Sequence, residues 1–343
     1  MARVLIVGGT GPIGRATARR LRAAGWLVDV TGRDPSRLPA DLAAAGVRFL
    51  SANRADAEQL ATAFGAGVDL LVDCICYTAA DAERLLPLVR DAGSTVMISS
   101  KAVYVDAAGN HSNSEVAPCF DGPIHETQPT VVPAAGDHTT REGYGANKVA
   151  AEQVLLESGR PVTVLRPSKV HGAGAPRPRE WFFVRRVLDR RPAVVLARGG
   201  AGVDHTTAAI NIAALIETAA SVPGRRILNS ADPDAPSALE IARVIAGRLG
   251  HVWEEVLLRD VDGTLGAHPW DAPHPIVLDT SAAAELGYTP AGDYATTVAD
   301  EVDWLVAGAR GERSDDPLRL DEEFFAPLFD YAAEDGYLAN RDT

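Results

Sequence analysis

The 343-residue chain is 46% hydrophobic and carries a formal net charge of −13 at pH 7, enough apolar material for one large or two medium domains. The acidic balance, with no block of positive charge, argues against a nucleic-acid partner, and no apolar stretch approaches the length of a membrane span. Three sparse cysteines, Cys74, Cys76 and Cys119, make no disulfide framework and point to a reducing, cytoplasmic setting.

In chain order, short apolar runs alternate with helical patterns. Val4–Val7, too short for a signal peptide, reads as a strand, Ile13–Ala24 as a helix and Leu27–Thr31 as a second strand. A helix is expected near Ser36–Ala45. Further strands are expected at Val47–Leu50, Asp69–Asp73 and Thr95–Ser99, with helices near Ala55–Phe64 and Ala79–Ala92. Residues 105–142, rich in Gly, Pro, His, Asn and Thr, read as a long loop, of a length that is usually functional or mobile. Gly143–Glu157 is a helix and Val162–Arg166 a strand. Beyond Gly172 the pattern mixes: helix Glu180–Asp189, strand Ala193–Leu196, helix Thr207–Ser221, strand Arg226–Leu228 and helix Ala235–Leu249. The last stretch, 309–343, is acidic, with an amphipathic helix near Leu320–Ala333.

This alternation predicts an α/β fold: a Rossmann-type doubly wound parallel sheet with a smaller interleaved α+β substrate lobe. Residues 1–171 would form the dinucleotide domain, with part of 204–228 returning to it. Residues 172–203 and 229–308 would form the lobe, and 309–343 a C-terminal extension.

Between the first strand and helix stands Gly8-Gly9-Thr10-Gly11-Pro12-Ile13-Gly14. Glycines at 8, 11 and 14 let the backbone turn tightly and approach a pyrophosphate, while the helix start offers unpaired N–H groups. Thr10, Pro12 and Ile13 belong to the same cradle, and Asn53, after the third strand, is placed with it. The second strand ends Thr31-Gly32-Arg33-Asp34. A small residue where a ribose-binding acid would sit, followed by a guanidinium, favours NADP(H), with Arg37 able to assist; the other reading is that Asp34 binds the ribose.

Only three lysines occur, Lys101, Lys148 and Lys169, against thirty arginines. Lys148 stands one helical turn after Tyr144, and Lys101 follows Ser99-Ser100 at a strand end. An ammonium beside a phenol favours proton transfer, which a planar guanidinium does less well. Cys74 and Cys76, two apart on a strand, would share a face, which makes a metal or redox pair conceivable, but they read first as small buried hydrophobes. The histidines show no His-x-x-x-His spacing, so no metal site is expected. His111, His125 and His138 fall in the long loop and read as solvated.

With Gly8-x-x-Gly11-x-x-Gly14, Ser100, Tyr144-x-x-x-Lys148 and Arg166-Pro167 followed by Gly172, the chain resembles the extended short-chain dehydrogenase/reductases, related to sugar-nucleotide epimerases and dehydratases, over roughly residues 1–305. The resemblance implies catalysis by Ser100, Tyr144 and Lys148, with Lys148 also holding the nicotinamide ribose, and a homodimer through the Tyr144 helix. Three departures stand out. The acidic pair that performs elimination in the dehydratases is replaced by Lys101 and Ala102. An Asn common in sugar-nucleotide enzymes is replaced by Lys169, and the position of a diphosphate-gripping Arg by Asp204. An acid there would repel a diphosphate unless Lys169 or Arg198 compensates. The expectation is therefore an NADPH-dependent reductase of a small carbonyl metabolite, with Lys101 and Lys169 touching the substrate. The alternatives are a sugar-nucleotide epimerase or 4-ketoreductase, and a cofactor-binding regulator that has lost catalysis, against which the complete Ser–Tyr–Lys set argues.

Overall fold

The structure is a computed structural model; it describes residues 1–175, 177–259, 263–313 and 318–341. The chain opens with β1 (Arg3–Val7), α1 (Pro12–Ala23), β2 (Leu27–Gly32), α2 (Ala40–Ala44) and β3 (Arg48–Ser51). It continues with α3 (Ala57–Phe64), β4 (Leu70–Asp73), α4 (Ala79–Asp91), β5 (Ser94–Ile98), α5 (Arg141–Leu156) and β6 (Val162–Pro167). Then follow β7 (Lys169–His171), α6 (Trp181–Leu188), β8 (Ala193–Leu196), β9 (Thr206–Ala208), α7 (Ala209–Ser221) and β10 (Arg226–Ser230). Last come α8 (Ala238–Arg248), β11 (Glu254–Leu257), α9 (Ser281–Glu285), α10 (Tyr294–Thr297), α11 (Ala299–Ala309), α12 (Glu322–Phe325) and α13 (Tyr331–Asn340).

Seven strands form one sheet in the order β10-β6-β5-β4-β1-β2-β3, and every pairing is parallel. Strand periodicity explains why both faces are apolar. In β1, Val4 and Ile6 join one core with Val28, Val30, Leu70 and Val72, under α1 and α7. Leu5 and Val7 point the other way, into a core with Leu60, Leu71, Leu85, Met97 and Leu155 under α3, α4 and α5. The strand order reverses between β1 and β4, which places a ligand crevice at their carboxyl ends. At the opposite end, buried Asp29 on β2 accepts from Arg3 Nε at 2.8 Å and Arg48 Nε at 2.6 Å, tying β1, β2 and β3 together.

The second core gathers Trp181, Phe182, Phe183, Ile241, Ile245, Trp270, Tyr294 and Leu305 beside the small parallel pair β8–β11. A second pair, β7–β9, links it to the sheet.

The structure departs from the sequence expectations in definable places. The helix expected near Ser36–Ala45 is a 3₁₀ turn at Pro35–Arg37 and a short α2, because Pro39 has no N–H to continue a helix. β9 occupies the start of the expected Thr207–Ser221 helix, and β7 and β11 were not anticipated. Pro327 divides the expected Leu320–Ala333 helix into α12, a 3₁₀ turn at Ala326–Leu328 and α13. The long segment after β5 is pinned rather than loose: Val131 N–H donates to Val103 O at 2.8 Å and Ile124 N–H to Val277 O at 2.8 Å. The C-terminal segment docks on α6, where the buried Arg186 guanidinium meets Glu334 and donates to Leu328 O at 3.0 Å. Among the described residues no helix is long and apolar enough to cross a membrane.

Candidate active site

The glycine loop joins β1 to α1. Gly8 has φ +78°, a conformation that favours glycine, and a Cβ at Gly14 would lie 2.5 Å from Gly9 Cα. A Cβ at Gly11 would meet only Gly8 O, at 3.7 Å, so the cradle is open there. Side chains cap α3, α4 and α5 (Asp56, Thr78 and Thr140), but the start of α1 at Gly11 has no side-chain cap. Its free N–H groups and the positive end of its dipole are therefore left for an anion such as the pyrophosphate of a dinucleotide. Thr10, Pro12 and Ile13 lie in this turn, and Ile13 also lines the neighbouring cavity.

At the end of β2, a Cβ on Gly32 would stand 3.1 Å from Phe49 and 3.6 Å from Thr10, so a larger residue would require the Phe49 ring to shift by a few tenths of an ångström. Arg33 is exposed and makes no hydrogen bond or ion pair among the described residues. The Asp34 carboxylate is occupied instead, accepting from Ser36 N–H at 3.0 Å and Ser36 Oγ at 2.6 Å. Asn53 is exposed, and its Oδ1 accepts from Ala55 N–H at 3.1 Å.

One cavity of about 930 Å³ is lined by Ser100, Tyr144 and all three lysines of the chain. Lys148 is almost fully buried. Its Nζ donates to Cys76 O at 2.7 Å and Ile98 O at 2.9 Å, which fixes the ammonium between the ends of β4 and β5. It lies 4.4 Å from the Tyr77 ring centroid and 5.9 Å from that of Tyr144. Tyr77 in turn stacks on His138 of the long segment, with ring centroids 5.3 Å apart. Burial, then the nearby Tyr144 oxygen, pushes the Tyr77 phenol up to about 12. Ser100 caps the 3₁₀ turn at Lys101–Val103, accepting from Ala102 N–H at 3.1 Å, with its own O–H left to donate.

The arrangement around Asp204 corrects the charge argument drawn from the sequence. Lys101 and Lys169 close on the two oxygens of Asp204, with Lys169 Nζ 2.5 Å from Oδ2. Burial, then the charge of Arg179, pushes both amino groups below the ordinary lysine range. Asp204 therefore does not meet an incoming anion unscreened. Arg198, the other proposed compensator, pairs with Asp271 at 2.8 Å and does not line the cavity. Arg179, which the sequence reading missed, does line it, and makes no hydrogen bond or ion pair among the described residues. No motif marks Arg179; it stands one residue before Glu180 and α6, and only folding brings it to Lys101 and Lys169.

Cys74 and Cys76 do not share a face. β4 ends at Asp73, and beyond it Cys74 packs against one core and Cys76 against the other. Burial pushes both thiols up, so they stay protonated. Buried Asp73 pairs with Arg54 at 2.5 Å beneath the crevice, a network without a sequence signature.

Residues 4–209 match the family model described as the NAD dependent epimerase/dehydratase family. The chain belongs to that family, and with it to the extended short-chain dehydrogenase/reductase enzymes. No curated protein matches the sequence. Among solved structures, a UDP-glucose 4-epimerase from Thermus thermophilus in complex with NAD superposes with TM-score 0.64 at 20% identity, over 89% of this chain and 99% of that one. A putative epimerase from Burkholderia cenocepacia J2315 gives 0.68 at 22% identity, over 89% and 98%. The dTDP-glucose 4,6-dehydratase of Bacillus anthracis str. Ames, in complex with NAD, gives 0.67 at 15%, over 96% and 100%. At these identities the likeness is one of fold.

Proposed function

We propose that this enzyme exchanges a hydride between a nicotinamide dinucleotide and a carbinol or carbonyl carbon of an anionic substrate, and that nucleotide-linked sugars, epimerised or reduced at a ring carbonyl, are the first class to test. The observation that carries the anionic preference is the charge of the cavity. One carboxylate, Asp204, faces two amino groups, those of Lys101 and Lys169; Arg177 is matched by Asp321 at 2.6 Å, and Arg179 makes no ion pair among the described residues, although buried Glu180 and Glu301 lie within electrostatic range of it. Lys148 adds a further positive charge, so the lining is net cationic. The epimerase-type solved structures and the family match support the same direction.

A bound nicotinamide supplies or accepts the hydride. Tyr144 donates its phenolic proton to the substrate oxygen in reduction and takes one in oxidation. Ser100 donates to the same oxygen. The Lys148 ammonium, anchored on two carbonyls, stabilises negative charge developing on the Tyr144 oxygen and offers its remaining N–H to the ribose hydroxyls. Elimination of the dehydratase kind lacks its acid, because Lys101 and Ala102 follow Ser100.

The dinucleotide is proposed to be NADP(H). Support comes from the unpartnered Arg33 guanidinium and from Asp34, whose carboxylate is committed to Ser36. The second reading, reduction of a smaller free ketone, is favoured by Lys101, Ala102 and Lys169, which depart from the sugar-nucleotide pattern. Calorimetric titration of cofactor-loaded protein with UDP, UDP-glucose and dTDP-glucose separates the two. Saturable binding that weakens roughly ten-fold or more in Arg179→Ala, the loss of one charge-assisted contact, supports the nucleotide-sugar reading. Turnover of free ketones without any nucleotide binding supports the smaller substrate.

A further inference from the structure

Outside the catalytic cavity, three acids and a histidine are buried together where the sheet meets the second core. His171 ends β7, Glu180 precedes α6, Glu301 lies in α11 and Asp232 follows β10; all four are at most 2% exposed. None of them lines the catalytic cavity. One ligand atom each from His171, Glu180 and Glu301 can be chosen so that all lie within 4.8 Å of one another.

We propose that His171, Glu180 and Glu301 bind a structural divalent transition-metal ion, zinc or manganese(II), with Asp232 orienting the histidine from behind. Three observations carry this. First, two polar atoms of the cluster have no hydrogen-bond partner: His171 Nδ1, which faces Glu301, and Glu301 Oε1 are both buried. His171 Nδ1 stands 3.8 Å from the other Glu301 oxygen, close to the edge of about 3.4 Å of a tetrahedron with metal–ligand bonds of about 2.0–2.2 Å. Second, the other imidazole nitrogen, Nε2, lies 2.9 Å from Asp232 Oδ2. Asp232 is itself fixed, accepting from Ala208 N–H at 2.7 Å and Asn211 Nδ2 at 2.8 Å. A carboxylate on the far nitrogen selects the tautomer that presents Nδ1 to a metal and raises its basicity.

Third, charge balances with a dication. The facing groups are the carboxylates of Asp232, Glu180 and Glu301, the Arg179 guanidinium, and the neutral hydroxyl of Tyr294, which donates to Glu180 at 3.3 Å. Lys169, also within range of Glu180, is matched by Asp204. Three negative charges and one positive leave a deficit of two. One divalent ion fills that deficit, leaves the cluster neutral and gives the two orphaned atoms a partner. Gly172 N–H donates to Glu301 Oε2 at 2.7 Å, and Gly172 packs beside Pro12, so the ion would staple α6 and α11 to the base of the glycine loop. Histidine spacing could not reveal such a site, since its ligands come from three separate elements; this proposal revises the expectation of no metal.

The test uses the full-length protein without an affinity tag, stripped with EDTA and then titrated with ZnCl₂ or MnCl₂. Mass-spectrometric metal analysis after desalting should give close to one equivalent per chain. The melting temperature should rise by roughly 3–6 °C at a hundredfold excess over Kd. In Glu301→Gln, and in His171→Asn, retained metal should fall at least ten-fold and the thermal response should vanish. Two results overturn the proposal: no retained metal and no thermal response in the unmutated protein with either ion, or unchanged stoichiometry in a folded variant. The measurement on the unmutated protein stands alone if a variant fails to fold.

Discussion

Arg166 on β6 grips Glu152 on α5 through two hydrogen bonds, Nε to Oε1 at 3.1 Å and Nη2 to Oε2 at 2.5 Å, and both side chains are at most 4% exposed. Ser99, the neighbour of Ser100, donates to the same carboxylate. One buried acid therefore ties the helix that carries Tyr144 and Lys148 to the strand ends that carry Ser100.

Removing that acid should be costly. Glu152→Ala leaves the Arg166 charge buried and uncompensated, so a loss of about 3–5 kcal/mol is expected. Glu152→Gln keeps one acceptor and should lose less. Urea denaturation followed by circular dichroism measures both; equal stability of Glu152→Ala and the parent protein would show that the pair does not hold the helix.

Tyr144→Phe keeps the ring and removes the hydroxyl. Cofactor affinity should be preserved while turnover falls by about 10²–10⁴, the range for a general acid. Single-turnover kinetics with the substrate found by titration checks this. Near-normal turnover would mean that another group supplies the proton.

Arg33→Ala should weaken NADPH binding by about 1.5–3 kcal/mol, the scale of a charge-assisted hydrogen bond, and leave NADH nearly unaffected. Fluorescence titration with both cofactors is sufficient. Equal losses would reject the 2′-phosphate contact.

Acid stability should depend on Asp29. Burial alone would raise its carboxyl, but hydrogen bonds from Arg48 and Arg3 outweigh this and hold it below the ordinary aspartate value. A depressed folded value means that the stabilisation is complete above the unfolded value, about 3.9, and is lost as pH falls through the folded one. The unfolding free energy of the parent should therefore drop below about pH 4, and Asp29→Asn should show a shallower drop from a lower plateau. Parallel slopes in the two proteins would count against this assignment.

Local chemistry made much of this protein legible from its sequence. The glycines at 8, 11 and 14, the alternation of apolar runs with helical periods, and the Tyr144–Lys148 spacing each act over a few residues, so they predicted the sheet, the dinucleotide crevice and the chemistry proposed for it. What the sequence could not contain was which distant charges meet. Asp204 read alone is a repulsive acid; in the fold Lys101, far earlier in the chain, cancels it with Lys169. Arg179 carries no motif, yet it opens on the same cavity. Cys74 and Cys76 part company because β4 ends at Asp73, and His171, Glu180 and Glu301 meet only where three elements converge. Electrostatic energy depends on separation in space and on exclusion of water, and both are fixed by packing rather than by order along the chain.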